Sequence, residues 1–236
     1  HGEEKNPSST RINETSSINM TDKLAIIGAS LFQRPLILKA KELGFETHVF
    51  AWEQGAVAEK FADFFYPISV THFDEIVIEL KKIQPKGIVS IASDLTAITV
   101  AKIAEIMNLP SNPLSVIQIG TNKYQSRLLF EQAKLANPHF RLVTSEDDII
   151  FIKKKFVFPV ITKPTDRSGS RGIVRVESAD FLSKAIKTSQ EQSFSKQVIV
   201  EEFFEGQEFS LEFLSINGKH YCLAITEKET TGFPHY

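Results

Sequence analysis

The 236-residue sequence has a single cysteine, Cys222, and therefore cannot form an intrachain disulfide. It also lacks any apolar run approaching about 20 residues, the length that a membrane-spanning helix requires. Its formal net charge is only −2, so bulk charge favours neither nucleic acid nor an anionic membrane as a partner. These absences predict a cytoplasmic globular protein with no membrane or nucleic-acid partner.

Two common nucleotide-binding fingerprints are missing as well. The segment Gly28–Pro35 follows an apolar strand but reads G-A-S-L-F-Q-R-P, which is not G-x-G-x-x-G. The chain contains no G-x-x-x-x-G-K-[ST] motif either. A tight strand-to-helix turn is therefore the preferred interpretation of Gly28, and a Rossmann-type oxidoreductase is an alternative that depends on this glycine alone.

The first half of the chain alternates strands and helices, which predicts a doubly wound α/β domain. An apolar strand over Lys23–Ile27 precedes a helical pattern, and a second strand follows over Thr47–Phe50. A later apolar strand, Gly87–Ala92, ends at Ser93 and Asp94. Asp94 could face a substrate at the carboxyl end of a parallel sheet, or one of these two residues could cap the next helix, and we favour the cap.

Composition sets the predicted domain boundaries. Residues 1–22 are polar and read as a disordered arm or a cloning remnant. The turn-rich break Leu109–Pro113 predicts a boundary between a domain over 23–112 and a region over 113–236. The last residues before Tyr236 carry no sign of a domain end, so we expect the chain to be a fragment.

The second half has the composition of a phosphate cradle. An apolar run ends in Lys163, and the loop Thr165–Gly172 after it is rich in glycine and serine. Small residues let backbone amides approach an anion closely, and nearby lysine supplies positive charge. A second apolar run ends in Glu201–Phe204, and Glu208 follows. Carboxylates in this position suit the amine and hydroxyl groups of a nucleotide.

A β-hairpin is predicted at the end of the chain, because Asn217-Gly218 is a strong two-residue turn signal. In the strand before it, Glu208, Ser210 and Glu212 alternate with Phe209, Leu211 and Phe213. This alternation predicts one solvent-exposed face and one buried face. Cys222 is expected to be a small core residue in the second strand.

The order of these parts resembles the ATP-grasp superfamily, in particular the carboxylate-amine ligases and the carbamoyl-phosphate-synthase-like and biotin-carboxylase-like branches. The resemblance extends from Lys23 onward. It implies a Rossmann-like pre-ATP-grasp domain, which is α/β, followed by an incomplete ATP-grasp fold, which is α+β. Within the second region it implies a lid subdomain over about 123–203 and the start of a truncated C-terminal subdomain from about 204.

The same resemblance implies which residues bind ATP. Lys123 and Lys163 would contact the phosphates, and the loop from Ser168 to Gly172 would close over them. Glu201 and the backbone of the next three residues would recognise adenine, and Glu208 would hold the ribose. Arg171 would either steady the γ-phosphate or be solvated. The implied ATP-binding residues are Lys123, Lys163, Ser168, Gly169, Ser170, Arg171, Gly172, Glu201, Glu202, Phe203, Phe204 and Glu208.

The implied activity is ATP-dependent formation of a carbon–nitrogen bond, in which a carboxylate is activated as an acyl phosphate and attacked by an amine. ATP and Mg²⁺ are the implied cofactors, with the metal ligands expected beyond Tyr236. Asp94 and His235 are candidate substrate contacts, the catalytic residues are not identified, and a homodimer is expected. A bicarbonate-using enzyme and a nucleotide-binding regulatory protein without turnover are the alternatives.

Overall fold

The computed structural model describes residues 22–229, and these divide into two compact units. The first unit ends at Ile117 and the second begins at Gln118. Residues 1–21, which cover nearly all of the predicted arm, and residues 230–236 lie outside the described part. No helix of the described residues is long and apolar enough to cross a membrane.

The first unit is built on a four-stranded parallel sheet of order β3-β2-β1-β4. Since β1 lies between β2 and β4, the strand order reverses beside β1, as in a doubly wound sheet. Its strands are β1 (Lys23–Ile27), β2 (Glu46–Phe50), β3 (Phe64–Tyr66) and β4 (Gly87–Val89). Its helices are α1 (Arg34–Glu42), α2 (Phe73–Ile83) and α3 (Asp94–Met107), and α4 (Leu114–Thr121) runs across the division between the units.

Alternate residues of the central strands supply two cores on opposite faces of this sheet. Ile27 and Phe50 belong to the core that contains the buried residues of α2 and α3. Ile26 and Val49 belong to the core that contains the buried residues of α1. Helices therefore cover both faces, which explains why the strands read as continuous apolar runs rather than as alternating ones.

The loop after β4 settles how helix α3 begins. Ser93 is the N-cap residue, and its hydroxyl accepts a hydrogen bond from the backbone N–H of Thr96 at 3.4 Å. Asp94 is exposed in the first helical turn, where its negative charge is favourable for the helix dipole. The preferred prediction of a cap at this position is confirmed, with Ser93 as the capping residue.

The second unit contains an antiparallel four-stranded sheet of order β5-β8-β6-β7. Its strands are β5 (Phe140–Val143), β6 (Val160–Pro164), β7 (Val174–Val176) and β8 (Val198–Glu202). Its helices are α5 (Lys123–Gln132), α6 (Glu146–Lys155) and α7 (Leu182–Gln192). The buried residues of α6 and α7 pack with Val160, Val198 and Val200 on one face. Strand residues between these, such as Ile161 and Lys163, belong to the other face.

A buried aspartate fixes the start of α6. Ser145 and Asp148 form a capping box, and Asp148 also accepts hydrogen bonds from the backbone and hydroxyl of Thr144 at 2.9 and 2.8 Å. Arg141 donates to the same carboxylate at 2.7 Å. Together, the hydrogen bonds from Thr144, Ser145 and Arg141 hold the pKa of Asp148 far below its ordinary value, against the effect of burial.

The last elements of the described residues form a two-stranded hairpin, β9 (Phe209–Ile216) and β10 (Lys219–Glu227), with Asn217 and Gly218 in the left-handed conformation at the turn. The predicted hairpin is thus confirmed. The prediction of a buried face is wrong for the described residues, because Phe209, Leu211 and Phe213 are each about half exposed. Cys222 is also exposed, so the expectation that it is a core residue is wrong.

We expect Asp148→Ala to lower the free energy of unfolding by about 1–3 kcal/mol, since it removes the one carboxylate that accepts the hydrogen bonds of Thr144, Ser145 and Arg141 at the start of α6. Asp147→Ala is the matched control, because Asp147 is exposed in the same helical turn, and its effect should stay within about 0.5 kcal/mol. Urea denaturation measures both. Equal effects of the two substitutions would contradict the role assigned to Asp148.

The difference in stability between the unsubstituted chain and Asp148→Ala should depend on pH. The pKa of Asp148 is lower in the folded chain than its ordinary value of 3.8, so its contribution to stability is complete above that value. As the pH falls below about 4, the unfolded chain binds the proton first and the contribution is progressively lost. The difference in stability between the unsubstituted chain and Asp148→Ala should therefore shrink on acidification.

Candidate functional site

The second unit contains a cavity of about 710 Å³ on the face of the sheet that α6 and α7 do not cover. Six of the predicted ATP-binding residues line it, together with Arg127 of α5, residues of the loop after α5, Ile173 and Lys228. The lining residues are Arg127, Ala136, Asn137, Pro138, Ile161, Lys163, Ile173, Glu201, Glu202, Phe203, Phe204, Glu208 and Lys228. We refer to this space as the nucleotide cavity, after the prediction made for it.

Two neighbouring strands place the charged residues of this cavity. Ile161 of β6 pairs with Glu201 of β8 in the antiparallel register, and Lys163 pairs with Ile199. Because side chains alternate along a strand, Ile161, Lys163 and Glu201 point to the same face of the sheet. The Lys163 ammonium donates to Oε2 of Glu201 at 2.6 Å.

Glu201 is almost completely buried, with 2% of its surface exposed. Arg127 of α5 donates from Nε to Oε1 at 2.9 Å and from Nη2 to Oε2 at 3.1 Å, a bidentate arrangement. Burial alone raises the pKa of Glu201, but the hydrogen bonds and charges of Arg127 and Lys163 outweigh it and hold the pKa below its ordinary value. Glu201 is therefore an ionised carboxylate whose two oxygens both have cationic partners.

Arg127 is the main residue of the site that the sequence analysis missed. Its guanidinium also donates to Oδ1 of Asn137 at 3.3 Å, and the Asn137 amide donates back to the Arg127 carbonyl at 2.9 Å. A signal was present, since Arg127 follows Lys123 by four residues and so shares its side of helix α5. Its partner Glu201 lies 74 residues further along the chain, which no local pattern indicates.

Lys123, the first residue of α5, contacts the base of the predicted phosphate loop. Asn122 caps α5 through hydrogen bonds from the backbone of Tyr124 and Gln125, which places Lys123 in the first helical turn. The Lys123 backbone N–H donates to the Thr165 carbonyl at 2.9 Å, and its ammonium donates to the Arg167 carbonyl. Lys123 therefore supports the base of the loop rather than lining the nucleotide cavity.

The base of the loop is fastened by Asp166. Its carboxylate accepts hydrogen bonds from the backbone N–H of Ser195 at 2.7 Å and from the hydroxyl of Ser193 at 2.9 Å. Burial raises the pKa of Asp166, but these hydrogen bonds, with that from the backbone of Phe194, bring it below its ordinary value. The base is thus fixed to the segment between α7 and β8.

The tip of the loop, Ser168–Arg171, is exposed and has an unusual backbone. Gly169, Ser170 and Gly172 have positive φ angles of 65°, 55° and 73°. Gly172 has no room for a side chain, because a Cβ would lie 2.8 Å from Cβ of Gln192 and from Cγ of Pro164. The five predicted residues 168–172 do not line the nucleotide cavity in this conformation.

The remaining predicted residues divide between the two units. Glu202, Phe203, Phe204 and Glu208 line the nucleotide cavity, where Glu208 forms an ion pair with Lys228 at 2.5 Å. Asp94 belongs to the first unit, and His235 lies outside the described residues. Among the described residues there is no group of three or more histidine, cysteine or acidic side chains that could hold a metal.

Comparisons with known proteins bear on this fold. Residues 156–234 match the family model described as "ATP-grasp domain". The sequence is 30% identical to a D-alanine–D-alanine ligase of Laribacter hongkongensis over 112 residues. This match covers 47% of this chain and 36% of the ligase. Residues 156–234 are thus similar to the ATP-grasp domain family, and the predicted resemblance to this superfamily is confirmed.

Solved structures agree over most of the chain. An L-amino acid ligase from Bacillus licheniformis has a TM-score of 0.75 at 24% identity, covering 91% of this chain and 53% of that one. The biotin carboxylase domain of a 2-oxoglutarate carboxylase from Hydrogenobacter thermophilus, solved with MgADP, ADP and bicarbonate, has a TM-score of 0.69 at 18% identity, covering 81% and 46%. At these identities the likeness establishes the fold, and the predicted fold class is confirmed.

Each of these relatives is considerably longer than the part that the chain matches. The chain spans about half the length of the two solved structures and 36% of the D-alanine–D-alanine ligase. The activity, substrates and partners of the whole protein are therefore matters for proposal, as are the roles of the individual site residues.

The ion pairs of Glu201 give a prediction for Arg127. Arg127→Leu leaves a buried carboxylate with Lys163 alone, so we expect a loss of about 2–3 kcal/mol in the free energy of unfolding. Arg171→Leu is the control, because Arg171 is exposed in the loop tip, and it should have little effect. Urea denaturation at neutral pH decides, and similar stabilities of the two variants would contradict the role of Arg127.

The loop gives a second prediction. Gly172→Ala should destabilise the chain by about 1–3 kcal/mol more than Gly169→Ala, because only the first substitution creates a steric clash. Both glycines have positive φ, so the cost of placing alanine in the left-handed region, about 1–2 kcal/mol, is common to the two variants and cancels. If denaturant unfolding gives equal losses, the close packing of Gly172 against Pro164 and Gln192 is refuted.

Proposed function

We propose that this chain is the nucleotide-binding part of an ATP-dependent ligase, which activates a carboxylate as an acyl phosphate for attack by an amine. The observation that carries the proposal is the nucleotide cavity, where Lys163, Glu202–Phe204 and Glu208 come together from separate parts of the chain. Its volume of about 710 Å³ lies within the range of pockets that hold small molecules, about 300–1,000 Å³.

The chemistry proceeds in two balanced steps. A carboxylate oxygen attacks the γ-phosphorus of ATP, ADP leaves, and an acyl phosphate forms. The amine then attacks the acyl carbon, the bond from this carbon to the phosphate oxygen breaks, the nitrogen loses one proton to solvent, and an amide and inorganic phosphate are formed. In the first step negative charge spreads over the phosphoryl oxygens, so the protein contributes mainly positioning and charge neutralisation.

Individual residues are assigned to this task as proposals. Lys163 would donate to a phosphate oxygen, and Lys123 would hold the loop base through the Arg167 carbonyl. The exposed tip Ser168–Gly172 would close over the phosphates and exclude water from the reactive intermediate. Ile161 and Ile173 supply apolar walls for a base, and the backbone at Glu202–Phe204 supplies hydrogen-bonding groups beside them.

Glu201 receives a different assignment from the one that the resemblance implied. Both of its carboxylate oxygens already accept hydrogen bonds from cations. We assign it to positioning Lys163 at the cavity wall, and we assign recognition of the adenine amine to the backbone that follows it. Glu208 would release Lys228 and accept hydrogen bonds from the ribose hydroxyls.

Mg²⁺ belongs to the proposal because phosphoryl transfer from ATP requires neutralisation of the β- and γ-phosphates. The described residues hold no cluster of potential ligands, so none of their side chains is assigned to the metal. Small-molecule carboxylate and amine substrates, a homodimer and a cytoplasmic location likewise stay predictions, as do the domain boundaries at 112 and 113.

Nucleotide binding is tested by calorimetric and thermal-shift titration of the chain with ADP and ATP. ADP at 100 times its dissociation constant should stabilise the chain by about 2.7 kcal/mol. Lys163→Ala should weaken ADP binding at least about tenfold, whereas the control Lys184→Ala, an exposed lysine of α7 outside the cavity, should leave it unchanged. No binding, or equal losses in the two variants, would refute the nucleotide cavity.

The reaction class needs a chemical test on the natural protein that contains this chain. Incubation with ATP, Mg²⁺, a panel of amino acids and hydroxylamine should yield a hydroxamate, since hydroxylamine captures an acyl phosphate in place of the amine. ADP release that depends on bicarbonate, with no hydroxamate from any carboxylate, would instead show a carboxylase-type enzyme.

A further inference from the structure

A second cavity of about 670 Å³ lies in the second unit, outside the residues assigned to ATP. We call it the edge cavity, because it opens at β5, the edge strand of the antiparallel sheet. Phe140 and Arg141 are successive residues of β5 and point to opposite faces of the sheet, yet both line the cavity. The cavity therefore wraps around the strand edge, and residues from the end of α5 and the end of α6 complete its walls.

The charged lining of the edge cavity is predominantly cationic. Lys134, Arg141 and Lys155 line it against the single carboxylate of Glu131. Arg141 is neutralised by its ion pair with Asp148. The ammonium groups of Lys134 and Lys155, by contrast, have no hydrogen bond or ion pair with another residue in the described range 22–229. An anion would find two uncommitted cations here.

The same cavity has an apolar wall. Leu135 and Phe151 line it with 59% and 40% of their surface exposed, and Phe156 lines it as well. The Arg141 guanidinium lies 4.2 Å from the centre of the Phe151 ring, which holds this ring in place. Burial of these exposed side chains by an apolar group would be favourable, so the lining suits a ligand with both a charge and a ring.

The edge cavity and the nucleotide cavity share a wall. Asn137 and Pro138 line both of them. Asn137 exchanges hydrogen bonds with Arg127, which holds Glu201. His139 lines the edge cavity, and its carbonyl accepts a hydrogen bond from the backbone N–H of Glu202 at 3.0 Å. A ligand that moves the segment from Asn137 to His139 therefore moves groups that line the nucleotide cavity.

We propose that the edge cavity binds a small anion that carries an aromatic group, and that its occupancy changes the affinity of the nucleotide cavity. Binding of the anion depends only on the edge cavity, whereas its effect on nucleotide affinity rests on the proposed function. Coupling between two binding sites is reciprocal, so the nucleotide would change the affinity for the anion by the same factor.

The binding test uses phenyl phosphate, which combines a dianion with a ring, beside inorganic phosphate and phenol, which each supply one of the two. Calorimetric titration is carried out on the unsubstituted chain, on K134Q/K155Q and on K153Q/K154Q. Lys153 and Lys154 precede Lys155 in the last turn of α6 but do not line the cavity. The two double variants therefore lose the same charge, and glutamine preserves most of the side-chain length.

We expect phenyl phosphate to bind more tightly than either of its two parts. K134Q/K155Q should weaken this binding at least about tenfold, while K153Q/K154Q should leave it within about twofold. Equal losses would mean a diffuse attraction between charges and would overturn the proposal. Binding that survives in K134Q/K155Q would mean that phenyl phosphate binds elsewhere, for example in the nucleotide cavity, and would also overturn the proposal. The absence of any binding would overturn it as well.

The coupling test measures the dissociation constant of ADP with and without saturating phenyl phosphate. In the unsubstituted chain we expect the dissociation constant of ADP to change by at least about twofold, which lies below the typical couplings of about 5–150-fold. In K134Q/K155Q we expect no change. An unchanged constant would overturn the coupling. If ADP fails to bind at all while phenyl phosphate binding depends on Lys134 and Lys155, the proposed function fails and the edge cavity stands.

Discussion

The ion pairs of Glu201 with Arg127 and Lys163 join one helix and two strands at the wall of the nucleotide cavity. A carboxylate buried this deeply would be costly without partners, so α5, β6 and β8 are held in one arrangement by electrostatics as well as by packing. The position of Lys163 at the cavity is therefore fixed by the same carboxylate that keeps Arg127 in place. The loss of one partner would disturb the other two.

The loop that follows β6 combines a fixed base with an exposed tip. Asp166 fastens the base through the backbone of Ser195, and Gly172 packs too tightly for any side chain at the other end. Between them, residues 168–171 are exposed. Exposed segments open and close at low free-energy cost, so a fixed base and a fixed end suit the closure over the phosphates that we propose for the tip.

Local sequence signals predicted the helices, strands and turns of this fold. Features that depend on contacts between distant positions could not be predicted from the sequence. The Asn217-Gly218 turn and the helix cap at Ser93 depend on residues within a few positions, so they could be read directly. The ion pair between Arg127 and Glu201 joins positions 74 apart, and its recognition requires the sheet register. The alternation in β9 wrongly predicted a buried face, because burial also requires a covering layer, and Leu211 is 54% exposed.

Successive side chains of β6 alternate between the two faces of the sheet, so one short strand contributes to both the core and the nucleotide cavity. Val160 and Thr162 are completely buried on the side of α7, where the Thr162 hydroxyl bonds with that of Ser189 at 2.8 Å. Ile161 and Lys163 point to the opposite face and line the nucleotide cavity. A shift of one residue in register would exchange the two sets and place the lysine in the apolar core. The requirement to bury Val160 therefore fixes the direction of Lys163, so that the packing of the sheet determines where the charge lies.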